Sequence, residues 1–272
     1  MLAVTTFVNA SPQQITSPTG ASTSLASAPT LSPTSTPAQK SCPALDAAGK
    51  PVFTYDRLDK NDAALLIVDH QDGLYLISRD MNAIQFKANI LAHAELANIF
   101  NLPTVITTST PFGPNAPLPI EITELHPNTS VIVRGGEVNA WDNADFRAAV
   151  QATGKKQIIL GGITTDACTT FLALSLREAG YSVFANADAS GTFDLRTAQD
   201  ANDRMRSGGV QVLSLFAIAC ELMRDWRNTP GTPQMLPFFD KYLPQYGFVA
   251  RAHDEAILNG TATGIRLGDL SP

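Results

Sequence analysis

The chain has 272 residues, of which 44% are apolar and 16% charged, and its formal net charge is −6. An acidic balance offers no electrostatic footprint for a polyanion, and no stretch approaches the ~20 consecutive apolar residues of a bilayer span, so neither nucleic acid nor membrane is an expected partner. Three scattered cysteines, Cys42, Cys168 and Cys220, exclude a disulfide framework and a cysteine-rich zinc site.

Texture changes once along the chain. Ser, Thr and Pro fill 22 of the first 44 positions, and no acidic residue precedes Asp46. Such a segment buries too little apolar surface to offset the roughly 1–2 kcal/mol per residue that ordering a backbone costs. Residues 1–52 are therefore expected to form a disordered leader. Its first basic residue is Lys40 and its apolar run Leu2–Val8 is short, which disfavours a transit or secretory signal and leaves a cytoplasmic location as the expectation. Residues 53–228 carry the domain, and residues 229–272, with prolines at 230, 233, 237 and 244, read as an irregular extension packed on the domain or on a neighbouring subunit.

Within the domain, Ala64–Val68 is an uninterrupted apolar run ending in Asp69, the signature of a strand buried on both faces. Phe86–Phe100 has helical spacing and closes on Asn101-Leu102-Pro103. Thr104–Thr108 and Ser130–Val133 are β-branched strands, the second ending in Arg134. Then come a helix over Asp142–Thr153, a strand over Gln157–Leu160, a helix over Asp166–Ala179 and a strand over Tyr181–Ala185. A helix over Arg196–Ser207, a short strand over Val210–Ser214 and a helix over Leu215–Trp226 complete the series. Six strands alternating with helices predict one α/β domain around a mostly parallel sheet.

Ligands of open parallel sheets bind beyond the carboxyl ends of the strands. That edge collects Asp69 after the first strand, Thr107 to Thr110 at the end of the second, Arg134 after the third, and Cys168 beyond the fourth. If Thr165 caps the helix that follows, Cys168 lies in its first turn, where unpaired N–H groups and the helix dipole lower a thiol pKa. The same position suits a small buried residue that anchors the helix on the sheet. Asp69 fits a base for the thiol, or a carboxylate that satisfies the backbone of the next turn. Arg134 fits an electrostatic partner of both, or a structural ion pair. His70, His93, His126 and His253 lack metal-ligand spacing and read as structural or exposed.

Together these residues resemble the isochorismatase-like cysteine hydrolases, and within them the YcaC-type subgroup. The likeness is carried by Arg57 to Ala64, Val68-Asp69-His70-Gln71, Asn139-Ala140-Trp141-Asp142-Asn143, Gly161 to Cys168, Asp188 to Phe193 and Arg224 to Asn228. The resemblance implies a three-layer α/β/α fold with a six-stranded sheet and an Asp69–Arg134–Cys168 triad. It also implies a cis peptide at Ile163-Thr164 and an oxyanion site made by the backbone N–H groups of Thr164 and Cys168. Arginine replaces the wider family's lysine, which leaves proton transfer to Asp69. The stretch from Ser109 to Asn115 lacks the aspartate and histidine of metal-dependent nicotinamidases, so the resemblance implies neither metal nor cofactor. It points to acyl chemistry on a small amide-like substrate, with Gln71, Phe112, Asn139 and Trp141 as candidate pocket residues. The subgroup forms ring-like homo-oligomers, octamers among them. A thiol redox protein using Cys168 and a catalytically silent oligomeric binding protein of the same fold are the alternatives.

Overall fold

The run Ala63–Val68 has no solvent-facing side: all six residues are buried, so this strand (β1) needs helices on both faces. In the computed structural model, which describes residues 56–270, it lies at the centre of a six-stranded sheet. The other strands are β2 (Thr104–Ser109), β3 (Val131–Arg134), β4 (Gln157–Gly162), β5 (Ser182–Asn186) and β6 (Gln211–Leu213). Their order is β3-β2-β1-β4-β5-β6 and every neighbouring pair is parallel. The direction of winding reverses between β1 and β4, which is where sheets of this order open a crevice. The expected leader, with Cys42, lies outside the described residues.

Alternate residues of β1 feed two separate cores. Ala63, Leu65 and Ile67 pack with Ile106, Ile159 and Phe184 against α2 (Ala83–Phe100), α7 (Leu215–Met223) and α8 (Thr232–Tyr242). Ala64, Leu66 and Val68 pack with Ile158 and Leu160 against α4 (Ala144–Ala152), α5 (Thr170–Glu178) and α6 (Leu195–Ser207). Two helical layers thus enclose the sheet. Two short helices that periodicity did not reveal, α1 (Asp72–Ile77) and α3 (Ile120–Leu125), have only six residues each.

Local chemistry fixes the ends. α2 starts three residues before its apolar pattern because the Asn82 side chain accepts the N–H groups of Ile84 and Gln85. It ends on Asn101 in the left-handed region. α7 stops at Met223, three residues before the expected end, where Arg224 turns to φ 66°.

The expected irregular C-terminal extension is instead mostly helical: α8 is followed by α9 (Pro244–Leu258). Pro233 and Pro244 fall in the first turns of these helices, where the missing N–H costs nothing, so they act as start signals. Pro237 lies inside α8, at a cost of ~3 kcal/mol. Burial of Met235, Leu236, Phe238 and Phe239 outweighs it at roughly 1.5–3 kcal/mol each. The rings of Trp226 and Tyr246 stack 5.5 Å apart and tie α9 to the segment after α7.

Candidate active site

The residue after β1 is Asp69, fully buried and in the left-handed region at φ 54°. Its N–H donates to the Thr107 carbonyl (3.0 Å), which sets the carboxylate beneath the sheet's carboxyl edge. Arg134 comes from the last position of edge strand β3 and is also fully buried. Its Nη2 donates to both Asp69 carboxylate oxygens, its Nη1 to the Glu137 carbonyl and its Nε to Thr107 Oγ1 (3.1 Å). A pair withdrawn from water this completely is stable only because each arm of the fork has an acceptor.

Cys168 arrives from the other side of the switch point. After β4 the chain passes through a cis Ile163–Thr164 peptide into a single π-helical turn, Thr165–Thr169, before α5 begins. The expected helix from Asp166 is present as one unbroken helical run, Thr165–Glu178, with a π first turn; the expected Thr165 cap is not, since the residue before the turn is Thr164 and neither threonine caps with a side chain. Thr169 N–H reaches back to the Thr164 carbonyl (3.0 Å), and Thr170 Oγ1 donates to the Thr165 carbonyl (2.6 Å). The turn rests on the loop after β5, where Thr165 N–H donates to the Gly191 carbonyl (3.0 Å) and Thr192 Oγ1 to Asp166 (2.7 Å). Gly191 has to be glycine, since a Cβ there would lie 2.5 Å from the Phe86 ring.

The three side chains meet. The Cys168 thiol lies within electrostatic reach of Asp69, Arg134 and the Thr164 N–H. The electrostatics correct the expectation of a lowered thiol pKa. Burial pushes the Cys168 thiol up to about 12, the Asp69 carboxylate pushes the same way, and the Thr164 N–H and Arg134 only partly offset them. The helix N-terminus at Cys168 does not outweigh burial and a neighbouring buried carboxylate. Asp69 is itself raised, by burial first, with Arg134 pulling it back down. At neutral pH the sulfur therefore carries its proton.

The candidate pocket residues separate. Gln71 is fully buried; its Nε2 donates to the Ala116 carbonyl and its Oε1 accepts from Ser109 N–H (2.8 Å). It clamps the loop after β2. Asn139 accepts from Trp141 N–H (3.1 Å) and donates to Ser175 (2.9 Å), while Trp141 packs edge-on against Tyr181 at 6.0 Å. Asn143 caps α4 through Phe146 N–H (3.0 Å) and donates to Glu137 (3.0 Å), the residue whose carbonyl holds Arg134. The Asn139–Asn143 motif thus braces the cation from behind, and the contacts of Asn139 and Trp141 are with the scaffold. Phe112, expected as a pocket wall, is 96% exposed, so this chain by itself closes no wall there.

The four histidines stay out of the chemistry. His70 donates to the Ala189 carbonyl (2.7 Å), and His93 donates to the Leu66 carbonyl (3.0 Å) while accepting from Asn186 (3.2 Å). Burial lowers them to about 4 and about 3. His126 is tied to the Ala94 carbonyl (3.0 Å), and His253 is exposed. Among the described residues no cluster of His, Cys, Asp and Glu is arranged to hold a metal, and no helix is long and apolar enough to cross a membrane. Two clefts of about 470 and 480 Å³ share Lys60 and Asn61, which precede β1, and so lie at the sheet edge opposite Cys168. Sequence reasoning put Thr107 on this edge without a role for its hydroxyl and missed the Glu137 carbonyl, because neither group carries charge or reactivity of its own.

Comparison with known proteins gives the family. The isochorismatase domain matches residues 63–215. The probable hydrolase YcaC of Escherichia coli K12 is 48% identical over 200 residues, which is 74% of this chain and 95% of that protein. Its crystal structure, an octameric hydrolase of unknown specificity, superposes with a TM-score of 0.72 at 47% identity, covering 75% of this chain and 98% of that one. YcaC from Pseudomonas aeruginosa, solved with hexane-2,5-diol and covalent acrylamide, gives the same TM-score and identity over 74% and 99%. With the family domain spanning more than half of the sequence and a nearly full-length relative at close to half identity, the chain belongs to the isochorismatase family and is a hydrolase of that family.

Proposed function

We propose that this hydrolase cleaves a C–N bond of a small amide-like substrate through a thioester on Cys168. The observation that carries the reading is a fully buried carboxylate, held in place by Arg134, that acts directly on the Cys168 thiol. As the sulfur attacks the carbonyl carbon, its proton passes to Asp69 and the carbonyl oxygen takes up the negative charge. The Thr164 and Cys168 N–H groups receive that oxygen. When the C–N bond breaks, the amine leaves with the proton from Asp69, and a thioester remains. Asp69 then takes a proton from water, the hydroxide breaks the thioester, and the thiol recovers its proton. Arg134 keeps its charge throughout and balances the carboxylate. The raised thiol pKa fits this sequence, because proton transfer and attack are coupled and no free thiolate is needed.

The chain acts as a homo-oligomer, with eight copies as in its E. coli relative. Phe112, Phe193 and Val138, all exposed, stand in the loops after β2, β5 and β3, on the same edge as Cys168. A second copy covering them accounts for bulky apolar side chains left in water. Light scattering on the full chain checks this: an octameric mass supports it and a monomer contradicts it.

The chemistry is tested by incubating the protein with a panel of small aliphatic and aromatic amides. Ammonia release and an acyl adduct on Cys168 are the readouts. For an accepted amide, Cys168→Ala lowers turnover by at least ~10³-fold. An alanine variant that hydrolyses the amide as fast as the parent chain overturns the mechanism.

A further inference from the structure

We infer that Thr107 is a positioning residue whose hydroxyl seats Arg134 against Asp69 and makes the cation position specific for arginine. The inference rests on the triad read above. Asp69 follows β1 and Arg134 ends β3, so the two charges approach across the strand between them. Thr107 on β2 stands in register with Val68 on one side and Ile132 on the other. It is fully buried and serves both partners. Its carbonyl accepts the Asp69 N–H, which fixes the backbone of the base. Its hydroxyl donates to the Ile132 carbonyl (2.8 Å) and accepts from Arg134 Nε (3.1 Å). The assignment of donor and acceptor is forced, because a guanidinium has no lone pair to offer.

Neighbouring threonines of β2 lack this arrangement. Thr104 bonds the Leu102 carbonyl, and Thr108 Oγ1 has no hydrogen-bond partner. The seat has three acceptors on three sides of one planar group: Thr107 Oγ1 for Nε, the Glu137 carbonyl for Nη1 and Asp69 for Nη2. A lysine ammonium is a single nitrogen on a flexible stem and cannot span all three. Valine at position 107 keeps the shape but leaves Nε buried without an acceptor, so the guanidinium has to shift away from Asp69 to find one. Arg134 draws both the carboxylate and the thiol toward their charged forms, and a displaced guanidinium draws less.

The experiment is acrylamide alkylation of Cys168 across pH, followed by mass spectrometry on the full chain with Cys220 as internal reference. In Thr107→Val the alkaline limb of the Cys168 profile moves up by about one pH unit, roughly tenfold slower at a fixed pH, while Cys220 is unmoved. Thr107→Ser restores the hydroxyl and the parent profile. Arg134→Lys shifts the limb as far, and adding Thr107→Val to it moves the limb no further. A folded Thr107→Val with an unshifted limb overturns the inference, and so does an equal shift in the Arg134→Lys background. If Thr107→Val does not fold, Arg134→Lys decides alone: an unchanged limb overturns arginine specificity. Asp69→Asn separates this from the reading beneath it. An unmoved limb there removes Asp69 as the thiol's partner and overturns the triad itself.

Discussion

Arginine–aspartate pairs occur in two regions of this molecule and do different work. At the carboxyl edge of the sheet, Arg134 and Asp69 are completely buried, and every arm of the guanidinium has a protein acceptor. In the C-terminal helices, Arg251 pairs with Asp240, but the side chains are 54% and 37% exposed. Water screens the second pair and competes for both partners, so its loss changes little. The first pair has no water to fall back on, and losing one member strands a charge in the interior. The tail is held by rings: Phe239 is fully buried, and Trp226, Phe216 and Tyr246 surround it. Charge organises one region and apolar burial the other.

The sharpest way to break this comparison is Arg134→Met. Removal of the cation should cost about 3–5 kcal/mol in denaturant unfolding, because Asp69 remains buried and unpaired. A loss under 1 kcal/mol would show that the pair is solvated. Next comes acid. His70 and His93 have folded pKa values below their ordinary value, so the unfolded chain binds more protons as pH falls. Their contribution is complete above about pH 6.5 and is lost as pH drops through about 4 and then about 3. For His70 the gap from 6.5 to about 4 is worth about 3 kcal/mol. Thermal unfolding between pH 7 and 4 should show that loss, and His70→Gln should flatten it.

Smaller effects belong to the tail. Phe239→Leu keeps most of the volume in an aromatic cluster and should cost about 1 kcal/mol, with Cys168 alkylation unchanged. Arg251→Met should cost no more than ~1 kcal/mol, and less in high salt. An Arg251 effect as large as that of Arg134 would erase the distinction drawn between the two regions.

Much of the frame was readable along the chain. Ala64–Val68 announced a doubly covered strand by having no polar residue in it, and the alternation of strands and helices announced the parallel sheet. The edge rule then gathered Asp69, Arg134 and Cys168, three residues separated by up to 99 positions, onto one short list. The tail was misread because a proline has two meanings, breaking a helix interior and opening a first turn. Which applies depends on the neighbours that Phe238 and Phe239 find in the fold. The thiol was misread for a related reason. The helix dipole is a property of the local chain, whereas the pKa is set by burial and by a carboxylate at the end of another strand.

The sequence by itself determined which groups could react and on which edge of the sheet they would stand, since periodicity and strand ends are local properties of the chain. Only the tertiary structure decided who holds whom: that Thr107 and Glu137 seat the arginine, that Gln71 and Asn139 brace the scaffold, and that burial beside Asp69 raises the Cys168 thiol. Those outcomes depend on desolvation and on hydrogen bonds between residues far apart in sequence, and both exist only once the layers have closed.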